Sequence, residues 1–156
     1  MISYYSQETK IGKFTIFEEN GAIIRAVFPV LSVSTNGCQC VKTLAIAEAF
    51  EQLTEFLDGK RTVFDLKLEP KGTPFQKRVW AELLKIPYGK TVSYQDIAVA
   101  IGNSKACRAV GLANNKNPIP IFIPCHRVIG KNGKMVGYAG GLDCKKSLLE
   151  IEQVIQ

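Results

Sequence analysis

Two rhythms of apolar and polar residues run through the chain. Lys13-Phe14-Thr15-Ile16-Phe17 and Ala22-Ile23-Ile24-Arg25-Ala26-Val27-Phe28 are rich in β-branched and aromatic residues and predict strands. Glu18-Glu19-Asn20-Gly21 between them carries the residues of a tight hairpin. The rhythm then changes. Ile46, Ala49, Phe50, Leu53, Phe56 and Leu57 follow three-and-four spacing, the apolar stripe of an amphipathic helix, which Asp58-Gly59 should end. Over Thr62–Leu68, Val63, Asp65 and Lys67 alternate with Phe64, Leu66 and Leu68, so a further strand is predicted.

Glu69-Pro70-Lys71-Gly72 reads as a boundary between a structural α/β domain, 1–70, and a helical domain, 73–156. Thr73-Pro74-Phe75-Gln76 supplies a cap, proline at the first helical position and glutamine three residues after the cap. Phe75, Val79, Trp80, Leu83 and Leu84 should form that helix's buried face, and Pro87-Tyr88-Gly89 should break the chain after it. Ser93-Tyr94-Gln95-Asp96 starts a second helix, with Ile97, Ala98 and Ile101 inward and Gly102-Asn103 at its end. Ser104 is expected to cap a third, from Lys105 to about Ala113. Two short helices joined by a glycine-containing turn suggest a helix-turn-helix. The third helix is built from Ala106, Cys107, Ala109, Gly111 and Ala113, with Arg108 its long charged side chain after Lys105. Small residues suit close approach to a surface such as a groove wall, and they suit tight helix–helix packing equally well.

With 46% hydrophobic and 22% charged residues among 156, the chain has the composition of a folding protein. No apolar run approaches the roughly 18 residues of a membrane span, so no membrane partner is expected. Met1–Lys10 lacks a secretory pattern, and five cysteines without framework spacing point to a reducing, cytoplasmic setting. Charge divides the two halves. Residues 1–70 hold seven Lys/Arg against nine Asp/Glu, and residues 71–156 hold thirteen against five. A polyanion such as nucleic acid is one partner for the second half; a merely soluble basic domain is the other explanation. Cys38-Gln39-Cys40 is too closely spaced for the usual zinc pattern, and the first half has no histidine, so no metal site is expected.

The candidate chemistry lies after the loop Asn114-Asn115-Lys116-Asn117-Pro118-Ile119-Pro120. A short apolar run, Ile121-Phe122-Ile123, leads into Pro124-Cys125-His126-Arg127-Val128, where a cysteine adjoins the chain's only histidine. A thiolate raised in population by an imidazole is a nucleophile; a buried inert cysteine is the alternative.

Pro124-Cys125-His126-Arg127-Val128 resembles the active-site signature of the O6-alkylguanine-DNA alkyltransferases, the methylated-DNA–protein-cysteine methyltransferases. Tyr88-Gly89, Val92-Ser93-Tyr94, Arg108-Ala109-Val110-Gly111 and Asn117-Pro118 precede it in the family's order. Gly137-Tyr138, Gly140-Gly141-Leu142, Lys145, Leu148-Leu149 and Glu152 follow it. The resemblance implies an α+β protein with a small ribonuclease H-like α/β domain and a winged helix-turn-helix domain. It also implies single-use DNA repair: Cys125 takes the alkyl group from O6-alkylguanine in double-stranded DNA, and possible O4-alkylthymine activity stays open. His126 would accept the thiol proton with Glu152 behind it, Tyr94 would assist the leaving guanine, and Asn117 would brace the preceding turn. Arg108 would fill the space of the flipped nucleotide, beside Ser93, Lys105 and Ala109. Val136, Tyr138, Ala139 and Gly140 would close over the base, and Ala139 stands where some relatives have serine. Asn114 and Asn115 occupy positions where some relatives turn a bulky side chain to DNA. No cofactor and no obligate protein partner are implied, and a monomer is the default. A lesion-binding relative without chemistry would have replaced Cys125; an unrelated Cys–His enzyme would leave Tyr94, Arg108 and the basic half unexplained.

Overall fold

The computed structural model describes residues 1–154 and divides into two compact units, Met1–Lys71 and Gly72 onward. In the first, β1 (Ser3–Thr9), β2 (Gly12–Glu19) and β3 (Ala22–Val27) form an antiparallel meander. A two-residue strand, β4 (Gln39–Cys40), adds parallel to β1, giving the order β3-β2-β1-β4. Asn20 and Gly21 both have positive φ, 53° and 83°, the conformation a two-residue hairpin needs to match the twist of its strands. The helix α1 (Leu44–Leu57) buries Ile46, Ala49, Phe50, Leu53, Phe56 and Leu57 against the sheet. Gly59, at φ 74°, ends it by donating to Phe56 while Lys60 donates to Glu55, so the last carbonyls are satisfied.

Two readings of the pattern change here. β1 escaped the hydrophobic pattern because Ser3-Tyr4-Tyr5-Ser6-Gln7-Glu8-Thr9 is mostly polar; its tyrosines hold it, Tyr4 over Phe17 at 5.6 Å and Tyr5 edge-on to Phe50. Thr62–Leu68 is extended, with Phe64, Leu66 and Leu68 half-buried, but it forms no strand. A single bridge joins Leu68 to Ile23, and the buried Gln52 amide instead pairs with both backbone groups of Asp65, at 2.9 and 3.1 Å. Cys38-Gln39-Cys40 runs into the sheet edge, where Gln39 donates to the Ser3 hydroxyl. No group of three or more potential metal ligands is gathered among the described residues.

The second unit packs α2 (Pro74–Leu83), α3 (Tyr94–Ala100) and α4 (Cys107–Asn115) together. Thr73 and Gln76 close a reciprocal capping box on α2, and Ser93 and Asp96 close another on α3. Trp80, buried, donates its indole N–H to the Ala113 carbonyl at 2.9 Å and pins the last turn of α4 to α2. Leu84, expected in the core, is 50% exposed beyond the end of α2. Ser104 does not cap α4. The helix starts at Cys107 without a side-chain cap, while the Asn103 side chain and carbonyl receive the amides of Lys105 and Ala106. Parallel strands β5 (Val92–Ser93) and β6 (Val128–Ile129) bring the start of α3 beside Pro124–Val128, and α5 (Leu142–Ile151) packs against that turn. Lys131–Lys134 is a turn closed by Gly130 N–H on the Lys134 carbonyl, but no second strand pairs across it.

Removing the α2 cap tests this account. Thr73→Ala is expected to lower unfolding stability by about 1 kcal/mol, read as a lower denaturant midpoint, while Thr73→Ser keeps most of it.

Candidate active site

The site is built on a strained loop. Asn117 spans it with both ends of its amide: Oδ1 accepts the Ile119 N–H at 3.0 Å, and Nδ2 donates to the Ile123 carbonyl at 2.8 Å. Ile123 N–H closes back on Ile119 at 2.9 Å. Inside this clamp Ile121 sits at φ 74°, a left-handed conformation that costs a β-branched residue on the order of 1–3 kcal/mol. Residues 119–128 are all buried, so the strain is held by packing as well as by Asn117. Cys125–Arg127 then form one 3-10 turn. With three residues per turn, successive side chains leave in three directions.

Cys125 is 4% exposed. Burial pushes its thiol pKa up; hydrogen bonds to its sulfur from the Asn117 amide and the Tyr138 hydroxyl, and the charge of Lys145, work against that rise. Lys145, fully buried on α5, donates to the carbonyls of Val128 at 2.7 Å and Val136 at 3.3 Å. It thereby holds the 135–141 segment over the turn. Burial, then Cys125 and Cys144, push the Tyr138 phenol well above its ordinary value, so it remains a donor. Cys144 is itself pushed up to about 11 by burial and by Cys125, and stays a thiol.

His126 and Arg127 turn the other way, onto Glu152. His126 Nε2 lies 2.6 Å from Glu152 Oε2, Arg127 Nε donates to both oxygens at 2.9 and 3.1 Å, and Gly89 N–H donates to Oε1 at 2.9 Å. Burial raises the Glu152 carboxyl, but the hydrogen bonds from His126 and Arg127 outweigh it and hold the pKa below the ordinary range. Burial lowers His126 despite Glu152, so its imidazole is neutral at pH 7. Arg127 also donates to the Ile86 carbonyl at 2.8 Å and stacks 5.7 Å from the Tyr88 ring. Tyr88 in turn donates to the Ile151 carbonyl at 3.1 Å, fixing the end of α5 that carries Glu152.

The second feature is an apolar cleft of about 530 Å3, lined by Tyr94, Arg108, Gly111, Asn115, Val136 and Gly137 among others. Tyr94 joins cleft to nucleophile. Its hydroxyl donates to the Val136 carbonyl at 3.4 Å, and burial followed by the nearness of Cys125 pushes its phenol up. Arg108, Ala109 and Lys105 are exposed at the start of α4 and just before it, whereas the Ser93 hydroxyl is spent on capping α3. Ala139 and Gly140 lie outside the cleft lining.

The family described as 6-O-methylguanine DNA methyltransferase, DNA binding domain, matches residues 74–154. A Bacillus subtilis constitutive methylated-DNA–protein-cysteine methyltransferase is 45% identical over 157 residues, covering 97% of this chain and 95% of its own. The chain belongs to this methyltransferase family. A Methanosarcina barkeri methylated-DNA–protein-cysteine methyltransferase is 60% identical over 106 residues, 68% of this chain and 67% of its own. The crystal structure of Mycobacterium tuberculosis OGT in complex with DNA superimposes with a TM-score of 0.91 at 42% identity, covering 97% of this chain and 92% of that one.

Relative to the methyltransferase pattern, the structure adds partners that adjacency along the chain hides. Arg127, present in the signature, shares Glu152 with His126, and a buried arginine beside an acidic residue far along the chain leaves no periodic signal. Lys145 is a fully buried lysine in an amphipathic helix, where a solvated charge is the ordinary expectation. Of the two asparagines at positions where some relatives turn a bulky side chain to DNA, Asn114 is 2% exposed and donates to the Cys125 carbonyl at 3.4 Å, and Asn115 lies on the cleft.

Neutralising Glu152 should be costly, because Arg127 is then left buried without its charge partner. Glu152→Gln is expected to lower stability by about 3–5 kcal/mol in chemical denaturation. The wild-type acid profile follows from the same groups. His126 and Glu152 both have folded pKa values below their free ones, so the unfolded chain binds the extra protons. Stability is full above about pH 6.5, declines as histidine's free value is crossed, and declines again below the free carboxylate value of about 4.3. A stability that rises on acidification from pH 7 to 5 would contradict these assignments.

Proposed function

We propose that this chain repairs O6-alkylguanine in double-stranded DNA by direct reversal, moving the alkyl group irreversibly to Cys125. Membership of the methyltransferase family supports the activity; the Cys125 surroundings support the residue roles. The thiol proton passes to the neutral His126 imidazole, whose Nε2 faces Glu152, and the ionised carboxylate stabilises the resulting imidazolium. The sulfur attacks the alkyl carbon, the C–O bond breaks, and its electron pair stays on the guanine oxygen. Tyr94, held protonated, assists the departing ring as a hydrogen-bond donor and acid. Net, the thiol proton ends on guanine and a thioether forms on Cys125. Nothing in the site is arranged to cleave a thioether, so each molecule acts once and needs no cofactor.

The observation that carries this mechanism is the buried Cys125 on one 3-10 turn with His126, whose Nε2 lies 2.6 Å from the Glu152 carboxylate. DNA is the partner of the mycobacterial relative, and here the outer face of α4 offers Arg108, Ala109 and Asn115 to a duplex. We read α3 and α4 with the β5–β6 pair as a winged helix-turn-helix. The order β3-β2-β1-β4 with β4 parallel to β1 supports a reduced ribonuclease H-like fold for the first domain, 1–70, with DNA binding and transfer in 73–156. Val136, Tyr138, Ala139 and Gly140 close on the flipped base, and the protein acts as a cytoplasmic monomer.

Incubation with an oligonucleotide containing O6-methylguanine should add one methyl mass per protein molecule and then stop. Peptide mapping should find the methyl group on Cys125, and Cys125→Ser should gain none. Continued turnover, or an adduct on Cys107 or Cys144, would refute the mechanism.

Flipping and chemistry should separate by mutation. Extrusion costs a few kcal/mol in a paired duplex and little for a free base. Arg108→Ala is therefore expected to slow repair of duplex O6-methylguanine about ten- to a hundredfold, equivalent to about 1.4–2.8 kcal/mol, while leaving transfer from the free base O6-benzylguanine nearly unchanged. Tyr94→Phe should slow both. Equal losses on both substrates for Arg108→Ala would move that residue out of the flipping role.

A further inference from the structure

Asn114 and Asn115 are neighbours at the end of α4 that point in opposite directions. Asn115 is exposed on the cleft, with its amide over Gly137; a Cβ on that glycine would come 3.5 Å from Asn115 Nδ2. Asn114 turns inward, and its Nδ2 lies 3.4 Å from the Cys125 carbonyl oxygen. Because a carbonyl only accepts, the nitrogen must be the atom facing it. The same carbonyl receives the Val128 N–H that closes the 3-10 turn. The backbone of the nucleophile is thus held from two sides, once by its own turn and once by α4.

Asn114 is poorly satisfied in the free protein. Its donated bond is long, and its Oδ1 is buried with no donor among the described residues. An apolar residue of similar shape would avoid an orphaned buried acceptor, so stability alone does not explain an asparagine here. Catalytic hydrogen bonds are often long in free proteins and tighten in the complex. The neighbouring carbonyl, on Ala113, is already pinned by Trp80, so the last turn of α4 moves as one piece with its side chains.

We propose that Asn114 is a positioning residue that ties the DNA-facing helix to the nucleophile: seating α4 on the duplex presses the Asn114 amide onto the Cys125 carbonyl and sets the sulfur in line with the alkyl carbon. The inference rests on the alkyl-transfer reaction proposed above. One face of α4 meets the duplex, and the other passes that contact to the reacting residue without touching substrate.

Single-turnover transfer from duplex O6-methylguanine, measured at saturating DNA, tests the link in wild type, Asn114→Leu and Asn114→Ser. The leucine keeps the bulk and removes both polar atoms; the serine hydroxyl is too short to reach the carbonyl. Both variants are expected to react about ten- to a hundredfold more slowly at saturation, the cost of a small misplacement of reacting groups. Their duplex Kd should stay within about twofold of wild type, and the free leucine variant should melt at or above the wild-type temperature, which a merely structural amide would not allow. A leucine variant that reacts at the wild-type rate, one that loses duplex affinity instead, or loss of cooperative melting in both variants would each overturn the proposal. A wild-type protein that gains no methyl group, or Cys125→Ser that does, would instead overturn the alkyl-transfer reaction itself.

Discussion

Everything at the reacting centre depends on keeping one carboxylate ionised in a dry place. Taking Glu152 out of water carries a desolvation penalty of several kcal/mol, which only near-complete hydrogen bonding offsets. His126 and Arg127 supply that from the 3-10 turn, and the Gly89 amide supplies it from the loop after α2. The residue that caps α5, the loop after α2 and the 3-10 turn of the nucleophile are therefore fastened at one point. Burial keeps the histidine neutral, and the charge of Arg127, already on the carboxylate, works in the same direction. A neutral imidazole is the form that takes a proton from a thiol.

The same dryness acts on Cys125 in the opposite sense. Burial alone disfavours the thiolate, and the surroundings restore part of the balance with oriented donors, the Asn117 amide and Tyr138 hydroxyl, plus the ammonium of Lys145. Fixed dipoles do not have to reorganise when charge moves from sulfur to guanine, and in a low dielectric they act more strongly than water would. A site that releases no thioether can be packed this closely. Asn117 does two tasks with one side chain, since it also clamps the loop in which Ile121 is forced to positive φ.

Much of this was legible along the chain where one rule dominated locally. The capping boxes at Thr73 and Ser93, the α1 stripe and the Asn20-Gly21 hairpin are decided within a few residues, and they stand where the pattern put them. Expectations failed where tertiary partners outweighed the local signal. Thr62–Leu68 has a strand's alternation, yet the Gln52 amide takes the backbone groups that a ladder would have used. β1 has almost no apolar alternation and is held by tyrosines packed on the Phe17 and Phe50 rings. At the site, Cys125 and His126 stand out from their adjacency and chemistry, but Arg127, Lys145 and Asn114 act through contacts with residues 11 to 25 positions away.

Helix α4 shows why that long-range part matters for function. Its exposed side carries Arg108, Ala109, Leu112 and Asn115, with Arg108 its one charge, and suits close approach to a groove. Its buried side carries Val110, Ala113 and Asn114, three residues spaced to face one way on a helix, and all three are committed to the interior. Two of them are apolar packing, while the third places an amide on the carbonyl of the nucleophile. The alternation that makes α4 amphipathic also makes it the connector proposed above, since its exposed side and the amide on the Cys125 carbonyl belong to one two-and-a-half-turn helix.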